Sequence, residues 1–167
     1  MIPNTERLDM WFDEIKNVAV EAAYENEVPQ QLFLLQSDGL VQGGRMEGDP
    51  QLMLYHILKK EQPEGFVMVC EARYKVCGCD EMHIPDEGCT GDIRRGEIAD
   101  DTSNPEALVI IGMVRGGQPR VEMAKITGDI PDRDIEDWKA DGAFKGALAE
   151  IAMEMMRCLA KGKQQPD

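Results

Sequence analysis

Apolar side chains recur along residues 5–25 at the spacing of a helical stripe: Leu8, Trp11, Phe12, Ile15, Val18, Ala19 and Ala22 fall on one side. Pro3, Asn4 and Thr5 stand where an N-terminal cap is expected, and Val28-Pro29 ends the pattern. Leu32 to Gln36 and Leu40 to Met46 flank Ser37-Asp38-Gly39, a tight-turn composition that predicts a hairpin. Gly43-Gly44 in its second strand predicts a bulge or a close backbone approach. Asp49-Pro50 pairs a cap with a proline at the first helical position, and it opens a second helix that runs to Glu61 and closes at Gln62-Pro63-Glu64-Gly65. Leu52, Met53, Tyr55, His56 and Leu58 give that helix no single apolar stripe, and His56 is read as half-buried.

Phe66 to Val76 is the clearest strand. Phe66, Met68, Cys70, Ala72, Tyr74 and Val76 share one face, while Val67, Val69, Glu71, Arg73 and Lys75 share the other, which turns from apolar to charged along its length. Residues 77–105 have no sustained periodicity and are rich in Gly, Asp, Glu and Pro; a loop this long is a natural place for chemistry. Glu106–Arg115 and Arg120–Ile126 form a second hairpin across Gly116-Gly117. A short helical stretch is expected near Asp134–Lys139. Phe144, Leu148, Ile151, Met155 and Leu159 mark a long C-terminal helix with Gly162 beyond it. The eleven methionines, Met123, Met153, Met155 and Met156 among them, read as core filling.

The order is helix, two strands, helix, three strands, helix. Hairpins outnumber any parallel crossover, so the expected fold is α+β: a mainly antiparallel sheet of about five strands with helices on at least one face. With 167 residues, no internal repeat and no linker, residues 1–167 are read as one domain.

Charge narrows the partners. There are 32 acids against 18 bases, a formal −14 at pH 7, distributed as −7, −5 and −2 over residues 1–65, 66–105 and 106–167. No segment is basic, which argues against nucleic acid and against anionic membrane surfaces. With no apolar run of membrane-spanning length and a charged start, the chain is expected to be soluble and cytoplasmic.

Five cysteines without a signal peptide are read as reduced thiols, Cys70 and Cys158 as small core residues. Cys77, Cys79, His83 and Cys89 fall within thirteen residues of the polar loop and supply the four soft or borderline ligands of a tetrahedral zinc site. Against this, the spacing lacks the C-x2-C knuckle of most structural sites, so scattered solvated thiols are the competing reading and the cofactor is either none or zinc. The many adjacent carboxylates, such as Asp80-Glu81, read as a solvated face. Glu71, with Arg73 on the same strand face, is the carboxylate that stands out, and an ion pair at the sheet edge is its plainest role. Neither glycine pair lies between a strand and a helix, which excludes a dinucleotide fingerprint or a phosphate loop there.

The stretch Phe66-Val67-Met68-Val69-Cys70-Glu71-Ala72, followed after the polar loop by Asn104-Pro105-Glu106-Ala107-Leu108-Val109 and a glycine hairpin, resembles a pattern in small bacterial and phage proteins. The resemblance covers about a third of the chain. It implies no particular activity, but it points to Glu71 and Glu106. It also speaks against metal, because that pattern lacks the loop cysteines.

These features support three functional expectations. The first is a small binding or accessory protein acting through its acidic surface on a protein partner, with Glu71, Arg73 and Glu106 as candidate binding residues; an inhibitor imitating nucleic acid is one form of it. The second is a metal-assisted hydrolase using the 77–105 loop, and the third a zinc-stapled interaction module. An exposed sheet edge also allows a homodimer.

Overall fold

A computed structural model describes residues 3–38, 41–45, 50–73, 105–140, 153–154 and 156–159. Helix α1 (Asn4–Glu25) is followed by strands β1 (Gln31–Leu35) and β2 (Val41–Arg45), helix α2 (Pro50–Glu61), and strands β3 (Gly65–Arg73), β4 (Glu106–Val114), β5 (Arg120–Thr127), β6 (Asp134–Ile135) and β7 (Lys139–Ala140). All strand pairings are antiparallel, in the order β2-β1-β3-β4-β5-β6, with β7 also on β5. The fold is α+β, as the alternation of hairpins and helices implies. Residues 74–76 of the expected third strand, the 77–105 loop up to residue 104, and Phe144, Leu148, Ile151 and Met155 lie outside the described residues.

Period-two alternation sends β3 and β4 side chains to opposite faces, and both faces are covered. On one, Leu8, Phe12, Ile15 and Ala19 of α1 pack against Val67, Val69, Ile110 and Val114. On the other, Leu54 and Leu58 of α2, with Met153 and Met156, pack against Leu32, Leu34, Phe66, Met68, Val109 and Ile111. Ala23 at the end of α1 closes the first layer over Leu108, Ala124 and Ile126. A strand buried on both faces reads as a continuous apolar run, which is what Ala107 to Val114 is.

Helix α1 differs from its expected stripe, and α2, for which no single stripe is expected, shows which side packs. The buried side of α1 is Leu8, Phe12, Ile15, Ala19 and Ala23, while Trp11, Val18 and Ala22 are exposed. On α2, Leu54 and Leu58 are buried; Leu52, Tyr55 and His56 face outward, with His56 edge-on to Tyr55. In α1 the buried stripe follows spacings of three and four, in α2 Leu54 and Leu58 lie four apart, and other apolar side chains of both helices fall outside it.

The expected short helix near Asp134–Lys139 is instead two short strands. Ile135 pairs with Ile126 and Lys139 with Met123, and Glu136 N–H donates to Lys125 O at 2.9 Å. The free edge of β5 supplies ladder partners that this six-residue stretch would lack as an isolated helical turn. This raises the strand count from about five to seven.

Gly43 shows which glycine reading holds. The β1–β2 register runs unbroken, with Gly43 opposite Phe33, so there is no bulge. A Cβ on Gly43 would meet the Phe33 ring at 2.5 Å, so glycine lets the aromatic ring lie on the neighbouring strand.

Candidate functional site

On the face of the sheet covered by α1, β3 and β4 end side by side, with Glu71 opposite Leu108 and Arg73 opposite Glu106. Strand register therefore brings together all three residues singled out from the sequence. Arg73 Nη2 lies 3.0 Å from Glu106 Oε1. Glu71 has a partner from elsewhere: Arg133, in the turn before β6, donates from Nη1 to Glu71 Oε1 at 2.5 Å and from Nη2 to Oε2 at 3.0 Å. Arg133 Nη2 also lies 3.7 Å from Glu106 Oε2, which joins the four side chains in one chain of charges. The Glu71–Arg133 bond is a two-pronged fork, the strongest geometry for this pair, and its side chains keep only 13% and 5% of their exposure. The expected same-strand pair at a sheet edge is thus replaced by a bond across the fold, because β3 is an interior strand.

This quartet also anchors α1. Val28 N–H donates to Glu71 Oε1 at 2.9 Å, and Arg133 Nη1 donates to Ala23 O at 3.2 Å. The last turn of α1 contains no basic residue of its own, so Arg133 supplies the cation that a helix C-terminus favours. The hydrogen bond that Arg133 donates to Glu71, reinforced by the charges of Glu71, Glu106 and Glu27 against an opposing effect of burial, raises the Arg133 pKa above its ordinary value. Arg133 is the residue that sequence reading missed. Its one signal is that it is the single base among Asp129, Asp132, Asp134, Glu136 and Asp137.

A second charged group lies toward the start of α1. Glu122, on the α1 face of β5, is buried and receives Lys16 Nζ at 2.9 Å and Arg120 Nε at 2.9 Å. Arg120 reaches on to Asp9 and Asp13, each at 3.0 Å, and its guanidinium carbon lies 4.0 Å from the centre of the Phe12 ring. Burial opposes the Arg120 charge, but hydrogen bonds and attraction from Asp13 and Glu122 outweigh it and raise the pKa. Phe12 itself lies flush on the sheet because β4 has Gly112 beneath it: a Cβ there would meet the ring at 2.8 Å.

Cys77, Cys79, His83 and Cys89 lie outside the described residues. Among the described residues no group of three His, Cys, Asp or Glu could hold a metal ion. Cys158 is exposed, and Cys70 is half-buried on the α2 face of β3. Burial first, and the neighbouring Glu71 carboxylate second, push the Cys70 thiol up to about 11, which keeps it protonated and unreactive at neutral pH. No helix of the described residues is long and apolar enough to cross a membrane.

The outer side of α1 is different in character from the side that packs. Met10 (63%), Val18 (58%), Trp11 (42%) and Tyr24 (42%) remain exposed. Glu14, Glu21 and Glu25 stand between and beside them and form no ion pair among the described residues. Next to Trp11 is a shallow apolar depression lined by Leu8, Trp11, Phe33, Leu35, Phe66 and Val67. No protein-family model matches the chain, and neither does any curated protein or solved structure.

Proposed function

We propose that this chain is a binding or accessory protein that acts through its acidic surface on a protein partner, and that the charged groups under α1 hold the fold and take no part in chemistry. The observation that carries this reading is the separation of the charges into two populations. Under α1 and along its flank, where Asp9 and Asp13 stay half exposed, five carboxylates (Asp9, Asp13, Glu71, Glu106, Glu122) face four cations (Lys16, Arg73, Arg120, Arg133) and nearly balance them. Nearly all of the formal −14 therefore resides elsewhere in the chain.

Engagement of this kind disfavours catalysis. A general base needs a free lone pair aimed at a substrate proton, and Glu71 accepts from Val28 N–H and from both arms of Arg133. Glu122 is held by Lys16 and Arg120 in the same way. Surface carboxylates without internal partners can instead steer and hold a basic protein surface, in a manner that salt weakens.

The test is retention of protein partners on the immobilised chain at low salt, followed by purification of any retained partner and calorimetry with it. The expected result is a stoichiometric complex whose affinity falls about tenfold or more as salt is raised past the physiological range. A complex indifferent to salt, or none that survives purification, overturns the proposal.

A further inference from the structure

We infer that the outward face of α1 is the docking surface, and that its occupant is a basic amphipathic helix of a partner protein; this rests on the binding function proposed above. Helical geometry sets the argument. The buried residues Leu8, Phe12, Ile15, Ala19 and Ala23 fix one side of α1, and at 100° per residue the opposite side carries Met10, Glu14, Asn17, Glu21 and Tyr24, flanked by Trp11, Val18 and Glu25. A helix needs only one apolar side to pack on a sheet, and α1 has already used it. Met10, Val18 and Tyr24 stay exposed outside that packing, and Trp11 lies at its border, 42% exposed while it lines the depression with Leu8 and Phe33.

Their spacing suits another helix. Trp11, Glu14, Val18, Glu21 and Glu25 recur at intervals of three and four, so a helix lying along this stripe would meet two apolar residues and three carboxylates. From Met10 to Tyr24 the face extends for roughly 20 Å, at about 1.5 Å per residue. At the Trp11 end the face borders the shallow apolar depression lined by Phe33 and Leu35, which extends the apolar surface without forming a pocket.

Charge selects the occupant. Helix α1 holds six acids (Glu6, Asp9, Asp13, Glu14, Glu21, Glu25) and two bases, Arg7 and Lys16. Lys16 faces inward to Glu122, and Arg7, on the stripe of Trp11 and Val18, donates to Asn4 about two turns before Glu14, so no cation of the helix stands beside Glu14 or Glu21. A second copy of the chain would set these carboxylates against themselves, and an anionic membrane would repel them. Lysine or arginine beside each apolar residue of an arriving helix would meet Glu14, Glu21 and Glu25 and leave Val18 and Trp11 to be covered.

Trp11 reports on its own face. The other indole, Trp138, has a buried Nε1 with no hydrogen-bond partner among the described residues, so Trp138→Phe removes an unsatisfied donor and leaves Trp11 as the sole tryptophan. The experiment titrates this variant with a three-heptad peptide carrying Leu at a and d and Lys at e and g, and with a peptide of the same composition in scrambled order. The expected result is a blue shift of Trp11 emission with the amphipathic peptide, and binding about tenfold or more weaker with the scrambled one. Glu14→Lys/Glu21→Lys and, separately, Met10→Ser/Val18→Ser should each weaken binding about tenfold while the circular dichroism stays helical.

Two results overturn the inference. If both peptides bind alike, or if binding ignores the α1 variants and is lost on charge reversal at Asp129, Asp132 and Glu136, the docking face is not α1, although the acidic-surface function stands. If no basic peptide binds at all, the function falls with it.

Discussion

Phe12 shows how much one side chain can organise. It is fully buried, it rests on Gly112 of β4, and its outer side is covered by the Arg120 guanidinium. Gly112→Ala places a methyl 2.8 Å from the ring, and chemical denaturation should show a loss of about 1–3 kcal/mol as Phe12 is displaced. Arg133 is the corresponding residue at the other end of α1. Arg133→Ala leaves Glu71 charged, largely buried and without its fork, and the expected cost is about 3–5 kcal/mol. Replacing both partners, as in Glu71→Gln/Arg133→Met, removes the buried charges together and should recover much of that loss in a double-mutant cycle. Part of this is legible in the sequence. The charged end of an apolar strand marks Glu71 and Arg73, and the resemblance to small bacterial and phage proteins points to Glu106. Arg133 is not legible, since its partner is 62 positions away and no periodicity connects a turn to a strand interior.

Among elements, α1 and α2 each have an arginine from a turn of the sheet near their C-terminal end. Arg133 donates to the last turn of α1, and Arg115, from the β4–β5 turn, donates to Gln62 O and, at 2.7 Å, to Pro63 O just past the end of α2. Each arginine lies in a turn after a hairpin strand, so strand pairing positions Arg133 on a terminal carbonyl of α1 and Arg115 on the chain leaving α2. Gln62 itself has φ of 45°, the left-handed region that favours glycine. Gln62→Gly should therefore stabilise the chain by about 0.5–1 kcal/mol, read as a higher thermal midpoint. Strand β3 provides a pH test. With the Cys70 thiol raised from 9.0 to about 11 in the folded chain, the unfolded chain ionises first as pH rises, so stability falls from about pH 9 to about pH 11. Cys70→Ala should flatten that decline in urea midpoints measured across the range.

The helix starts, hairpin turns and β3 alternation that place these elements are local signals, carried by residues a few positions apart, and this makes them readable from the chain itself. The segment Asp134–Lys139 is the exception: a short helical stretch is expected there, whereas the open edge of β5 decides its conformation. Likewise Trp11 and Val18 fit the packing stripe by spacing and yet face outward. Hydrophobicity alone does not distinguish an apolar residue that faces the sheet from one kept for another surface.

At the scale of the molecule, the same composition does two jobs. A small set of paired charges locks α1 onto the sheet, and a much larger acidic excess is left over. Repulsion within that excess opposes folding, while the partly buried pairs are shielded from salt. Added sodium chloride, from low to physiological concentration, should therefore raise the thermal midpoint of the isolated chain; a fall would mean that exposed ion pairs dominate its stability.

The most direct measurement of the account is the affinity of the Glu71→Gln/Arg133→Met variant for the Leu/Lys peptide. If the internal charges serve the fold and the outer face of α1 serves binding, the folded variant binds as tightly as the parent chain while Glu14→Lys/Glu21→Lys does not. If instead loss of the Glu71–Arg133 pair weakens binding as much as reversal of the α1 carboxylates, the internal cluster is itself the binding site and the division of labour proposed for these charges is wrong.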